Sequence, residues 1–409
     1  MKFPLYYSRK IAFSKDNKNN LSRIIIFIGR LSVALGIIVS LITVSTGLGS
    51  KKTIKERIAD FSGHISIKST KSNHSYNSSP LSREGFQYQK LKNLPSVAGL
   101  QSYSNVSGIL RNEKDFDGVV FKGVGKDFDA HRFEKFMVEG SVPQFNEEGY
   151  NNEIIISDRI AKDLTLKPND SIVAIFSKDD QKALYRKFKV SGIYKTDIKL
   201  IDDIYIIGDI NHARKILGQD KNDVGGIDVY LKNIDDIDAD YPEIDHLIGY
   251  KNFAEKATDK FPQINDWIQI FDVNISLIIS IMLIVVIINI IMVLLILIIE
   301  RTNSIGILKT LGATNFQIRS LFINYTLLIM VPGLLVGNAI GLGLLALQKY
   351  FGIIKLDPEN YFISTVPVDF NLMYILAISL GVLLVSALAM VIPSYLISKI
   401  SPVKSIKYN

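Results

Sequence analysis

Four long apolar runs limit what this chain can fold into. They lie at residues 24–48, 271–299, 320–347 and 372–397. Each exceeds the roughly 20 helical residues that cross the hydrocarbon core of a bilayer. The first run is too long for a cleaved signal peptide and has no small-x-small cleavage site at its end. The sequence therefore predicts an α-helical membrane protein with four transmembrane helices.

The basic residues predict how these spans are oriented. Lys and Arg outnumber Asp and Glu in the amphipathic N-terminal segment 1–23, in the loop 300–319 and in the tail 398–409. Cytoplasmic flanks of membrane proteins carry this excess. We therefore expect a multi-pass inner-membrane protein with both termini in the cytoplasm. The net charge of +7 has this origin, so no nucleic-acid partner is expected.

The segment 49–270 then lies outside the membrane, as does the short loop 348–371. Alternating apolar residues predict a mixed α/β domain in the long segment. The strand candidates are 63–69, 117–124, 152–157, 170–176, 186–194, 202–207 and 226–232, and the helix candidates are 82–92, 157–164 and 209–217. Ser157 and Asp209 are expected N-caps. Residues 48–60 and 250–270 are expected to form helical stalks that join this domain to the first two spans.

A few residues inside the spans carry specific expectations. Arg30 either extends to the lipid headgroups or contacts another helix, and both alternatives stay open. Pro332 and Pro393 are expected to kink their helices. Four glycines of the third run predict close helix packing, either within the chain or with a partner subunit: Gly333, Gly337, Gly341 and Gly343.

No motif for catalysis or metal binding is found in the sequence. There are no cysteines, and the five histidines lack metal-ligand spacing. The acidic run 233–240 lacks the glycine and glutamate of a calcium loop and predicts a solvated loop. The "GVGK" at 123–126 is not a phosphate-binding loop. We expect no catalytic residue, no metal and no cofactor in this chain, so any energy-driven function depends on a partner.

The polar stretch 300–322 interrupts the apolar runs. Its spacing predicts a short amphipathic helix with Ile305, Leu308 and Leu311 on one side. Gly312 is expected to end this helix, and Thr314 to cap the next one in a capping box with Gln317. By pattern alone, the short helix either lies on lipid or docks on a cytoplasmic ATPase.

The stretch "ERTNSIGILKTLGATNFQIRSLF" resembles the hallmark segment of FtsX-like, MacB-type ABC permeases. The matching residues are Glu300, Arg301, Ile305, Gly306, Ile307, Leu308, Lys309, Leu311, Gly312, Ala313, Thr314 and Ile318. The sequence departs from the pattern at Ser304, where the family often has an acid. The segments 152–176 and 392–408 are also similar to this family, and the order of one span, a large outer domain and three spans matches over the whole chain.

Two segments resemble the lipoprotein-releasing LolC/LolE branch of that family. One is the entry to the first span, and the other is the outer loop 356–371 with Tyr361 and Pro367. LolC-type chains carry a longer hook that captures a soluble carrier. The corresponding turn 177–186 is short here, which favours a LolE-like or an unspecialised homodimeric subunit.

The resemblance implies a non-catalytic permease subunit that transmits movement from a partner ATPase, which holds ATP and Mg. The other implied partners are a second permease subunit, a lipoprotein substrate and a soluble periplasmic carrier. The ATPase-coupling residues would be Glu300, Arg301, Ile305, Gly306, Leu308, Lys309, Leu311, Gly312, Ala313 and Thr314. The lipid-substrate cavity would be lined by Leu35, Ile38, Val39, Ile42, Ile275, Ile279, Met282 and Val286. The alternatives are a MacB-like efflux permease for drugs or peptides and an FtsX-like regulator of a cell-wall hydrolase.

Overall fold

The computed structural model describes residues 20–72, 75–83, 86–146, 149–177 and 183–395. They divide into two compact units. The helical unit contains residues 20–50, 269–354 and 365–395, and the sheet unit contains the described parts of 51–268 together with 355–364. Most of the segment 1–23, the tail 398–409 and the tip of the turn 177–186 lie outside the described residues, so the expectations for them stay predictions.

The chain begins with α1 (Asn20–Ser62), a single helix that continues across the division between the units. The sheet unit then contains, in chain order, β1 (Ile65–Ser69), β2 (Leu81–Ser82), α2 (Tyr88–Lys92), β3 (Val97–Arg111), β4 (Phe116–Val124), α3 (Ala130–Glu134), β5 (Met137–Gly140), β6 (Glu153–Ser157), α4 (Asp158–Asp163), β7 (Ser171–Ser177), β8 (Ala183–Tyr194), α5 (Lys199–Asp202), β9 (Tyr205–Asp209), α6 (Ile210–Leu217), β10 (Asp223–Val224), β11 (Gly226–Leu231), a 3-10 turn (Ile234–Asp236), α7 (Ile237–Ile248), β12 (Asn252–Lys256) and α8 (Ala257–Lys260).

The described strands of this unit form one large mixed sheet and one small ribbon. The order in the sheet is β12-β1-β11-β3-β4-β9-β6-β8-β5, with β7 paired to β3 and β8, while β2 pairs with β10. The pairs β4–β9 and β6–β8 are parallel. One apolar core surrounds Phe121, Phe176 and Phe188 and includes residues of α4 and α6. A second core surrounds Ile65 and Ile67 and includes residues of α2 and α7. The mixed α/β domain is therefore confirmed.

Local sequence signals located several of these elements correctly. Ser157 and Asp209 cap α4 and α6, and their side chains accept hydrogen bonds from the amides of Ile160 and Asn211. Four expectations were wrong. The helix expected at 82–92 begins only at Tyr88; the first residue of the strand expected at 202–207 belongs to α5; the acidic run 233–240 forms the 3-10 turn and the start of α7; and the stalk expected at 250–270 contains β12 and α8.

The helical unit is built mainly from apolar helices. After α8 the chain continues through α9 (Pro262–Glu300), α10 (Thr302–Thr310), α11 (Asn315–Phe351), α12 (Pro358–Tyr361), α13 (Leu372–Ala389) and α14 (Val391–Ser394). The short helix α12 belongs to the sheet unit. Like α1, α9 crosses the division between the units without interruption. Four described helical segments are long and apolar enough to cross a membrane: Ile26–Ser62, Pro262–Glu300, Asn315–Phe351 and Leu372–Ser394. Helix α11 continues through Pro332, whereas α13 ends at Ala389, shortly before Pro393.

Glycines allow the closest contacts between α1 and α9. A Cβ atom at Gly29, Gly36 or Gly47 would lie 3.0, 2.5 or 2.6 Å from side-chain atoms of Val293, Val286 and Ile275, respectively. The spacing between successive glycines on α1 equals the spacing between the branched residues that they face on α9. The two helices therefore pack in one antiparallel register over most of the unit.

A second row of glycines lies on α11 and faces the backbone of α1. A Cβ atom at Gly333 would lie 2.6 Å from the carbonyl oxygen of Arg30, and one at Gly337 would lie 2.8 Å from that of Ala34. Gly341 continues this row, whereas Gly343 faces open space. Close packing was expected either within the chain or with a partner subunit. Three of the four glycines make contacts within the chain.

Candidate functional site

The segment between α9 and α11 contains a short helix and a turn at Gly312. Residues of α10 form a short helix, and Gly312 then takes a φ of +88°, a left-handed conformation that side chains disfavour. The amide of Ala313 donates to the carbonyl of Leu308 at 3.0 Å, which closes the end of α10. The predicted break at Gly312 is confirmed.

A capping box begins α11, as the sequence predicted. The amide of Gln317 donates to Oγ1 of Thr314 at 3.3 Å, and the amide of Thr314 donates to Oε1 of Gln317 at 2.9 Å. Both bonds satisfy amides that have no partner within the first turn of a helix. The direction in which α11 leaves the turn is thereby fixed.

This cap gives a first testable prediction. Replacing Thr314 by alanine removes one of the two bonds, which costs about 1 kcal/mol at a helix N-terminus. We expect the amides of the first turn of α11 to exchange hydrogen for deuterium roughly fivefold faster in hydrogen-exchange mass spectrometry of the whole chain. A Thr310→Ala variant, at the exposed end of α10, should leave that exchange unchanged. Equal exchange in the wild type and the Thr314→Ala variant would contradict the role of the cap.

The two faces of this segment differ in exposure. Ile305 is fully buried and packs in the core of the helical unit with Ile318 and Leu321, and Leu308 and Ala313 pack against the same core. Three apolar residues of the segment have large exposed fractions, Ile307 at 49%, Leu311 at 78% and Phe316 at 80%, among exposed polar residues such as Asn303 and Asn315. We call these three residues the docking patch.

The expectation that Leu311 shares a face with Ile305 and Leu308 was wrong. Because α10 ends at Thr310, Leu311 adopts the cap conformation and its side chain points away from the core. Ile307 and Phe316 were not singled out as site residues. Phe316 could have been recognised in the sequence, because it is an aromatic residue between the polar residues Asn315 and Gln317 at the start of a helix.

Basic side chains accompany the docking patch. Partial burial, reinforced by the nearby guanidinium of Arg319, lowers the pKa of Lys309 below its usual value. The Arg319 guanidinium stacks on the ring of Tyr395, with its carbon 3.9 Å from the ring centroid. Glu300 and Arg301 lie at the junction of α9 and α10. The segment thus combines an apolar surface with positive charge.

The residues expected to line a lipid cavity lie in different environments. Leu35 on α1 is 51% exposed, and Ile38, Val39, Ile42, Ile275, Ile279 and Met282 are partly buried. Val286 is only 2% exposed because it packs on Gly36, so it does not line an open cavity in this structure. The most exposed row on α9 is instead formed by Leu277, Ile281, Ile284 and Ile288.

The two outer-loop residues are placed in separate units. Tyr361 packs edge-on against Trp267 in the sheet unit, with ring centroids 6.0 Å apart. Pro367 belongs to the helical unit, where its carbonyl oxygen would lie 2.8 Å from a Cβ atom at Gly49.

Arg30 makes a contact between helices, because its Nε donates to the carbonyl oxygen of Ile329 at 3.3 Å.

A buried ion pair fixes the end of α1 inside the sheet unit. Nζ of Lys122 lies 2.9 Å from Oδ2 of Asp228, and the two side chains are 3% and 0% exposed. Lys122 also donates to the carbonyl oxygen of Phe61 at 2.7 Å, and the Ser66 hydroxyl donates to Asp228 at 3.0 Å. The last carbonyls of a helix attract positive charge, so Lys122 joins α1 to β4 and β11. Nothing in the sequence pattern marked this pair.

The described residues hold no group of three or more His, Asp or Glu placed to bind a metal ion.

Two family models together match most of the chain. The model of the MacB-like periplasmic core domain matches residues 30–247, and that of the FtsX-like permease C-terminal region matches residues 276–402. The chain belongs to the family of the MacB-like periplasmic core domain, whose model covers more than half of it, and its C-terminal part matches the FtsX-like permease region. Members of this family are transmembrane subunits of ABC transporters, and membership implies an ATPase partner and a second subunit.

Curated relatives place the similarity within a particular branch. The chain is 23% identical to the lipoprotein-releasing system transmembrane protein LolE of Haemophilus influenzae, over 98% of both chains. It is 25% identical to LolC of Buchnera aphidicola subsp. Schizaphis graminum, over 94% of this chain and 93% of that one. The resemblance to LolC and LolE therefore extends through both units of this permease.

Among solved structures, the extracellular domain of the ABC-type transporter YknZ from Gram-positive bacteria is 16% identical, with a TM-score of 0.34 over 47% of this chain and 99% of that one. The periplasmic region of MacB from Actinobacillus actinomycetemcomitans is 14% identical, with a TM-score of 0.33 over 49% and 92% of the two chains.

Proposed function

We propose that this permease couples ATP hydrolysis by a separate cytoplasmic ATPase to the release of lipoproteins from the outer leaflet of the inner membrane. The docking patch is the observation that carries this proposal. Three large apolar side chains are exposed around the turn between α10 and α11: Ile307 within α10, Leu311 at its end and Phe316 in the capped first turn of α11. Exposed apolar clusters rimmed by charge are typical of surfaces that bind a partner protein.

The partner for this patch would be an apolar cleft with an acidic rim on the ATPase. A helix that inserts apolar residues at one face into a groove is a common mode of recognition. The positive residues Arg301, Lys309 and Arg319 favour that rim, and the excess of Lys and Arg supports a cytoplasmic location. Because Ile305 anchors α10 in the core of the helical unit, displacement of α10 by the ATPase would move the core with it.

Two uninterrupted helices offer a path from this segment to the sheet unit. Both α1 and α9 cross the division between the units as continuous helices. A continuous helix transmits a displacement without a hinge, because each turn is hydrogen-bonded to the next. The proposed mechanism is therefore movement of the sheet unit driven from the opposite end of the helices.

The choice of lipoproteins as substrates rests on the LolC and LolE relatives. Each acyl methylene buried in the bilayer contributes about 0.8 kcal/mol, so whole acyl chains are not extracted spontaneously at a useful rate. In the proposed cycle the acyl chains enter between the first span of one permease subunit and the second span of the other. Leu35 on α1 and the exposed row on α9 are the surfaces that would meet them.

The test uses the complete chain and its cognate ATPase in liposomes with a fluorescent triacylated lipoprotein. We expect ATP-dependent release of the lipoprotein to a soluble carrier. Replacing Leu311 by aspartate removes a central apolar contact worth about 2 kcal/mol or more, so ATPase binding should weaken by roughly 30-fold and release should stop.

An Asn303→Asp variant provides the matched control, because it adds the same charge to an exposed position of α10 without removing apolar surface. It should release lipoprotein like the wild type. ATP hydrolysis by the wild type without any release would rule out lipoproteins and favour efflux of drugs or peptides. Full release by the Leu311→Asp variant would show that the patch contacts lipid and not the ATPase.

A further inference from the structure

The sheet unit contains a cavity that the proposed coupling and lipoprotein release do not explain. Its volume is about 620 Å³, and it opens beside the first turn of α9. Strands β1, β3 and β12, Ser72, the residues 75–78 and the start of β9 with the residues before it form its walls. This volume is in the range of cavities that bind small molecules.

Aromatic side chains form much of the lining. Tyr76 and Tyr205 meet edge to face, with ring centroids 6.5 Å apart. Phe253 and Phe261 line another part of the cavity. Tyr205 is only 4% exposed, whereas 54% of Tyr76 is exposed. The cavity therefore offers aromatic surface among polar side chains, such as Asn77 and Ser78, and one side is open to solvent.

The charges around the cavity leave one cation unmatched. Lys68 pairs with Glu255 at 2.6 Å, and Asp203 pairs with Arg159 outside the cavity. Lys260 has no ion-pair partner among the described residues. Its Nζ lies 5.6 Å from the ring centroid of Tyr103 and 5.9 Å from that of Phe261, which are cation–π distances.

The surroundings of Lys260 lower the pKa of its amine. Burial lowers the pKa of Lys260 to about 7, while Asp228 and Glu255 raise it and Lys122 and Lys68 lower it further. Below neutral pH an anion in the cavity would thus meet a protonated amine in apolar surroundings.

We propose that this cavity binds a small amphiphilic carboxylate, with the carboxylate at Lys260 and an aromatic or aliphatic body against Tyr76, Tyr205, Phe253 and Phe261. Such a ligand supplies the charge that Lys260 lacks and buries apolar surface against the rings. Since Phe261 and Pro262 connect the cavity directly to α9, the bound ligand contacts the helix that continues into the second span. The site shares no residue with the docking patch or with the residues expected to line a lipid-substrate cavity.

The test uses the complete chain in nanodiscs of zwitterionic lipid, with 4-phenylbutyrate as the probe and 4-phenylbutanol as its uncharged match. Binding is measured by titration calorimetry, with protein-free nanodiscs as the blank. We expect the carboxylate to bind at least tenfold more tightly than the alcohol at pH 6. Because Lys260 loses its proton above about pH 7, the affinity for the carboxylate should fall about fivefold or more by pH 9.

Two variants and a control make the assignment specific. Lys260→Met should bind the carboxylate no better than the alcohol at either pH, and Lys251→Met, at an exposed lysine outside the cavity, should bind like the wild type. Tyr76→Ala should weaken both ligands and keep the pH dependence. Removal of the Lys260 charge leaves no buried ion unpaired, so this variant is expected to fold, and its unfolding temperature checks this.

Three results would overturn the proposal. Equal affinity of the two ligands for the wild type would mean that the cavity is simply apolar. Unchanged binding by Lys260→Met would mean that the anion is held elsewhere. Absence of carboxylate binding to the wild type at pH 6 would mean that the cavity does not take this class of ligand.

Discussion

Replacing Asp228 by alanine is expected to destabilise the sheet unit by about 3–5 kcal/mol. The substitution leaves the ammonium of Lys122 buried without its carboxylate, and removal of one partner of a buried pair is more costly than removal of both. It also deprives the Ser66 hydroxyl of an acceptor. Since Lys122 bonds the carbonyl of Phe61, the end of α1 should loosen together with the strands.

The measurement is the unfolding midpoint of the purified full chain in detergent, followed by resistance of the sheet unit to proteolysis. A Lys122→Met, Asp228→Leu double variant should recover most of the loss, because no buried charge remains. Lys162→Met serves as the control, since it removes an exposed pair with Asp158 that contributes about 0.5 kcal/mol or less. A loss below about 1 kcal/mol for Asp228→Ala would show that water reaches Lys122.

The second large effect is expected from Gly337→Leu on α11. A Cβ atom there would lie 2.8 Å from the carbonyl oxygen and 2.9 Å from Cα of Ala34, and neither backbone atom can rotate away. Close approach of helix backbones depends on small residues at such positions. The added side chain must separate α1 from α11, so we expect a loss of about 3 kcal/mol or more, at the upper end of overpacking effects.

The neighbouring Gly343 supplies the matched control. It lies on the same helix, and a Cβ atom there would meet open space. The Gly343→Leu variant should keep the wild-type unfolding temperature and elution profile in detergent, whereas Gly337→Leu should unfold at a clearly lower temperature or aggregate. Similar behaviour of the two variants would show that α1 and α11 do not pack as closely as described.

Sequence periodicity predicted the parts of this fold that depend on local chemistry. The four apolar runs, the caps at Ser157 and Asp209, the turn at Gly312 and the capping box at Thr314 are each set by a few adjacent residues. The caps and the turn depend on side chains and backbone groups that are adjacent in sequence. The apolar runs depend on the preference of a whole segment for the bilayer. Tertiary contacts therefore did not override these signals.

The elements that sequence reasoning missed depend on distant partners. The longest strand, β3, is rich in Ser, Gly and Asn, and it is a strand because β4, β7 and β11 pair with it. The ion pair of Lys122 and Asp228 joins residues from two strands that are far apart in sequence. The docking patch was found only in part, because the exposure of Leu311 depends on where α10 ends.

The glycine register between α1 and α9 restricts the motions that are open to the first two spans. Sliding one helix along the other by a single residue, about 1.5 Å, would move Val286 and Ile275 off Gly36 and Gly47 at the same time. A piston-like displacement of one helix against the other is therefore disfavoured. Tilting or rotation of the two helices as one body preserves the contacts between them. The first two spans are therefore expected to move together as a rigid pair.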